Sequence, residues 1–163
     1  MRSRFNIFFV AAAAVLTVGL ILGVQNSASQ GKGARSLEGS WLVRLTPTSG
    51  GAQFDEFMTF SAGGGIVESN NFAFHLLGLA AGPGHGTWSY AGDQSYPFTF
   101  VKFLYLPTGQ AAGTLKVSGT LTYLTDTDTW NGPATVAICD NQANNCNTID
   151  VTDGVATRID AGQ

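Results

Sequence analysis

From Gly39 onward, apolar and polar residues alternate in short runs with the two-residue period of half-buried strands. Trp41, Val43 and Leu45 share one face of a run at 39–46, and Leu115, Val117, Leu121 and Tyr123 share one face of a run at 115–124. Similar runs at 54–61, 66–69, 86–90, 96–106, 129–138 and 148–159 bring the predicted strands to about eight. Turn chemistry separates them: Pro47 to Ala52, the three glycines at 63–65, Ala91-Gly92-Asp93, Pro107-Thr108-Gly109 and Asp126-Thr127-Asp128. Asp153-Gly154 predicts a break or bulge in the last strand. Residues 70–83 depart from the pattern, being apolar without alternation and longer than a hairpin loop needs to be. One or two helical turns plugging an end of the domain are expected there, with Phe72, Phe74, Leu76, Leu77 and Leu79 capping the core. The functional alternative is a lid over a ligand mouth.

No convincing amphipathic helix interrupts this series, and regular short strands with tight turns read as a sandwich or a barrel. Eight strands suffice to close a cylinder that fills itself with side chains or holds one small ligand. Closure also removes exposed edges, a hazard for a chain with few charges. The fold class is therefore all-β: a single small antiparallel up-and-down β-barrel preceded by an N-terminal signal or apolar helix.

That leader is the strongest local signal. Arg2 and Arg4 precede an apolar run from Phe5 to about Val24, and the small polar stretch Gln25-Asn26-Ser27-Ala28-Ser29 follows. This is the layout of an export signal, with Ser27-x-Ser29 as the expected cleavage site. An uncleaved anchor is the alternative, since about 20 apolar residues span a bilayer. The organisation expected is a signal peptide at 1–29, a linker at 30–38 and the barrel at 39–160. The product is secreted, periplasmic or otherwise extracellular, or membrane-anchored if the leader stays.

Only 12% of the residues are charged, against about a quarter in an ordinary globular chain, and the net charge is −3. The cations are scattered and form no basic stripe, so no nucleic-acid partner is expected. In an exported chain the two cysteines, Cys139 and Cys146, are expected to form a disulfide across a turn-rich loop. Such a staple contributes about 2 kcal/mol on a chain-entropy estimate. A metal site needs more ligands than two thiols, and neither a metal nor another cofactor is called for.

Gly39-Ser40-Trp41 opening the first strand and Arg158 near the end of the last resemble the calycin group, the lipocalins especially. In that group a cation from the final strand packs on the tryptophan and closes one end of the barrel, a stacking that suits guanidinium and indole. The resemblance implies Trp41 and Arg158 as a barrel-closing pair. The lipocalin T-D-Y pattern is missing from the later strands. Pro83-Gly84-His85-Gly86-Thr87-Trp88 and Thr99-Phe100-Val101-Lys102-Phe103 also look like uncharacterised exported bacterial barrel proteins. The allene oxide cyclase-like barrels are a more distant likeness.

No Walker loop, H-E-x-x-H or nucleophile elbow is present. His75 and His85 are the two imidazoles; His85, between two glycines, reads as a tight-turn residue. Glu56 shares strand parity with Phe54, Met58 and Phe60, and Lys102 with Phe98, Phe100, Leu104 and Leu106. Apolar residues occupy both faces of these strands, so the simplest expectation is that both charges face solvent. The alternative is an internal polar pair that orients a ligand headgroup or transfers a proton. Candidate catalytic residues are thus Glu56, His75 and Lys102. The aromatic and apolar residues expected to line a lumen are Phe54, Met58, Phe60, Trp88, Tyr90, Phe98, Phe100 and Tyr123. The leading functional expectation is an exported barrel binding a small hydrophobic or amphipathic ligand. A cyclase or isomerase with a lumenal acid/base, and a filled structural barrel without a ligand, are the alternatives.

Overall fold

The computed structural model describes residues 36–160 and 162. The expected leader and most of the linker lie outside the described residues. Nine strands follow in order: β1 (Gly39–Pro47), β2 (Phe54–Phe60), β3 (Gly65–Asn70), β4 (Ala80–Ala81), β5 (Gly84–Trp88), β6 (Ser95–Tyr105), β7 (Ala111–Leu124), β8 (Thr129–Cys139) and β9 (Asn147–Arg158). All pairings are antiparallel, and β1 pairs with both β2 and β9. With β6 joined to both β5 and β7, the sheet closes on itself. The two residues of β4 pair with β6 beyond the end of β5 and share its lane, so the barrel has eight lanes.

Alternation explains which side chains fill the cylinder. Trp41, Val43 and Leu45 from β1 point inward, as do Met58 and Phe60 from β2 and Leu115, Val117, Leu121 and Tyr123 from β7. The last strand runs unbroken through Asp153-Gly154; the irregularity in its ladder falls instead opposite Val136 and Ala137 of β8. Glycine at 154 serves packing there, because a Cβ would crowd Leu45 and Trp130.

The two ends differ. At one, Trp41 meets Tyr123 and Trp130 edge-on at 6.1 and 6.3 Å, and Phe60 meets Trp130 at 6.3 Å. The Arg158 guanidinium lies 4.2 Å over the Trp41 ring. Its Nε donates to both Asp128 carboxylate oxygens at 3.0 Å, and its terminal nitrogens donate to the carbonyls of Glu38 and Ser36. Trp41 Nε1 donates to the Leu37 carbonyl at 2.8 Å, and Tyr123 Oη donates to Asp128 at 2.7 Å. Gly39 has φ +124°, and a Cβ there would stand 2.6 Å from Arg158, which explains the glycine two residues before Trp41. Aromatic rings and one buried charge network thus seal this end.

The opposite end carries the β1–β2 turn, the segment between β3 and β4, the β6–β7 turn and the β8–β9 loop. The Cys139–Cys146 disulfide closes that last loop. Asp140 organises it further, accepting from the backbone of Gln142 and Asn144 and from the Asn145 side chain. Residues 74–77 form a single 3-10 turn ended by Gly78 at φ +67°. Of the expected capping residues, Phe74 and Leu79 pack against the core and Phe72 is half-buried, while Leu76 and Leu77 are exposed.

Candidate functional site

A cavity of about 140 Å³ occupies the lumen and opens toward the loops of that second end. Its wall is mostly apolar, with Phe54, Met58, Phe98, Phe100, Leu121 and Trp130 prominent. Of the other expected lining residues, Phe60, Trp88 and Tyr123 pack at the sealed end and do not reach the space. Tyr90 lies beyond the end of β5, 60% exposed, against Tyr96 at 5.3 Å. Strand parity identifies the inward face; height along the barrel decides which inward residues meet the cavity.

The expectation that Glu56 and Lys102 face solvent is overturned. Glu56 is 5% exposed and Lys102 2%, and both line the cavity. Lys102 is held by a third residue, Glu68 of β3, which is 1% exposed. Its Nζ stands 2.6 Å from Glu68 Oε1 and 2.5 Å from Oε2. Asn70 Nδ2 also donates to Glu68 Oε1 at 2.9 Å, and Asn70 Oδ1 accepts from the Phe72 backbone. Register explains the convergence: Met58 pairs with Glu68 and Glu56 with Asn70 across β2–β3. Directly opposed residues share a face, so all four side chains point inward together. From two lanes away, across β5, β6 sends Lys102 to meet them.

Room for this cluster comes from glycine. A Cβ at Gly84 of β5 would stand 2.5 Å from Glu68 Oε2 and 2.8 Å from the Phe100 ring. Burial, then the adjacent Glu68 carboxylate and a hydrogen bond to it, push the Glu56 carboxyl well above the usual carboxylate range. Lys102 and Asn70 pull the other way and do not prevail. Glu56 is thereby shifted toward its protonated form, and Glu68 and Lys102 form an ion pair.

The histidines stand apart. His75 sits exposed on the 3-10 turn and lines a second, more open recess of about 370 Å³ between β3 and β4. Asn70, Phe72, Phe74, Leu79 and Lys102 border both spaces. His85 is not in a turn; it lies exposed within β5, opposite Val67 and Val101. Sequence reasoning missed Glu68, Asn70 and Gly84. The signal was the hairpin itself, since a short turn at 61–64 fixes which β3 residue faces Met58.

No family model, curated protein or solved structure matches this chain. The closed eight-stranded antiparallel barrel is consistent with a calycin-like architecture.

Proposed function

We propose that this protein is an exported, lipocalin-like barrel that binds a small hydrophobic or amphipathic molecule in its lumen. The observation carrying this reading is an apolar cavity with one polar cluster in its wall, Glu56, Asn70 and Lys102, instead of side chains packed to the axis. Ligand sites have that composition: mostly apolar walls with a few placed polar groups. The volume sets the scale, because an apolar space near 150 Å³ takes a benzene-sized guest. The disulfide is compatible with an oxidising, extracytoplasmic location.

Two measurements test the reading. Organic extraction of the purified protein, followed by mass spectrometry, should release a small apolar compound. Toluene should shift the NMR signals of lumen methyls such as those of Val117, Leu121 and Ala134, and Ala134→Phe should abolish those shifts by filling the space. An empty extract together with unmoved methyls would exclude a lumenal ligand.

One observation favours a second reading, a cyclase or isomerase. Glu56 is buried beside a cavity and next to another carboxyl, which raises its pKa and suits a general acid. On that reading Glu56→Gln abolishes turnover of a guest while leaving its binding intact.

A further inference from the structure

Charge balance and hydrogen-bonding capacity around the cavity single out one class of guest, given the reading of the lumen as a binding site. Lys102 is already balanced by Glu68, and burial disfavours the charged form of Glu56 beside them. A carboxylate guest would add an uncompensated negative charge in a space walled by phenylalanine and leucine. An ammonium guest would stand beside the like charge of Lys102. Neither kind of ion finds a free counter-charge in this wall.

Two buried donors in the cavity wall are underused, Lys102 Nζ and Trp130 Nε1. An ammonium group carries three N–H donors, and among the described residues Glu68 is the only hydrogen-bond acceptor of Lys102 Nζ. The Phe74 and Phe100 rings flank it, with centroids 5.9 and 5.8 Å away. Trp130, also in the cavity wall, buries an indole N–H that has no acceptor among the described residues. Glu68 Oε2 makes no aligned hydrogen bond, but it stands 2.5 Å from Lys102 Nζ, and Glu68 does not line the cavity. Buried donors without acceptors are costly, and a guest oxygen relieves that cost where a hydrocarbon does not.

We infer that the lumen selects a small uncharged molecule with a hydrogen-bond-accepting oxygen, of the ketone, ester or lactone class, and that Lys102 holds that oxygen. The cavity volume limits the enclosed part to about the bulk of one six-membered ring. Anything longer must extend toward the open end or into the recess between β3 and β4.

A matched set of rings tests this: cyclohexanone, methylcyclohexane, cyclohexanecarboxylate and cyclohexylamine. Each is titrated into the full chain at neutral pH, and binding is read from shifts of the lumen methyl signals. Cyclohexanone is expected to bind about tenfold more tightly than methylcyclohexane, the gain typical of a hydrogen bond to a charged donor. Both charged rings are expected to bind more weakly than methylcyclohexane. Lys102→Met alone would strand Glu68, so the informative variant is Glu68→Met with Lys102→Met, an exchange of a buried pair for apolar residues that proteins often tolerate. In it the ketone advantage should vanish while methylcyclohexane still binds. The inference is overturned if hydrocarbon and ketone bind equally to the unaltered protein, if a charged ring binds best, or if the ketone advantage survives in the double variant. Should that variant not fold, the four rings on the unaltered protein decide. Failure of all four to bind would instead overturn the lumenal-ligand reading itself.

Discussion

Glu56 is a carboxyl buried beside a second carboxyl, and that arrangement makes folding depend on pH. Its ordinary value is 4.5, and the folded protein raises it. Between 4.5 and the raised value the folded chain holds a proton that the unfolded chain has released. Stability is therefore greatest below that window, falls as pH rises through it, and levels off above. Asp140 and Asp150 act in a separate range. Hydrogen bonds, from the Asn144 backbone to Asp140 and from the Ser49 hydroxyl to Asp150, lower their pKa values, so their contribution is lost only as pH falls below the usual aspartate range. Glu56→Gln should therefore flatten the decline in melting temperature as pH rises above 4.5, and leave the variant more stable than the parent at the upper end of that decline. A variant that declines as steeply as the parent would show that Glu56 gives up its proton without cost. Legibility at this scale was partial. Parity placed Glu56 and Lys102 correctly on the faces of Met58 and Phe100, but apolar residues such as Phe57 and Phe103 on the opposite faces made the direction ambiguous. Both of those are exposed in the fold, and only the pairing of β2 with β3 resolves the ambiguity.

Strand boundaries were the most legible feature. The alternation predicts β1, β2 and β6–β9 to within a few residues, because each has one dry and one wet face. It did not reveal β4, whose Ala80 and Ala81 offer no contrast of polarity. It also started β5 two residues late, since Gly84 and His85 look like turn residues until the Glu68 carboxylate and the Phe100 ring are seen to need the space beside Gly84. The last strand carries the most concentrated interaction of any element. From β9, Arg158 reaches the Trp41 ring, Asp128 on the β7–β8 turn and two carbonyls of the segment leading into β1. A lysine keeps the charge but not the planar fork that serves these partners together. Arg158→Lys should cost about 2 kcal/mol in denaturant unfolding, equivalent to one or two charge-assisted hydrogen bonds. The methyl signals around the open cavity should stay in place. A change at the cavity equal to that at the sealed end would mean the two ends are not separable.

For the molecule as a whole, the barrel has a filled half and a half-empty one, and sequence could not divide them. Trp41, Phe60, Trp88 and Tyr123 have the same inward parity as the residues at the cavity, yet they stack at the sealed end. Which lumenal side chains leave space depends on the heights at which eight lanes meet, and periodicity along one strand carries no such information. The ring that joins β1 to β9 has a further consequence for biosynthesis. The seam is made by residues 41–47 and 152–158, the first and last stretches of the sheet. Until Arg158 has left the ribosome, β1 has one bare margin and the growing sheet has another. A chain stopped before Asn147 would expose both permanently and should be recovered as aggregate, since unpaired strand margins recruit other chains; a soluble, monomeric product of that length would show that the cylinder can be shut some other way. The protein must therefore be kept from associating with its neighbours until the last strand of the barrel is delivered, and its first strand waits for that one.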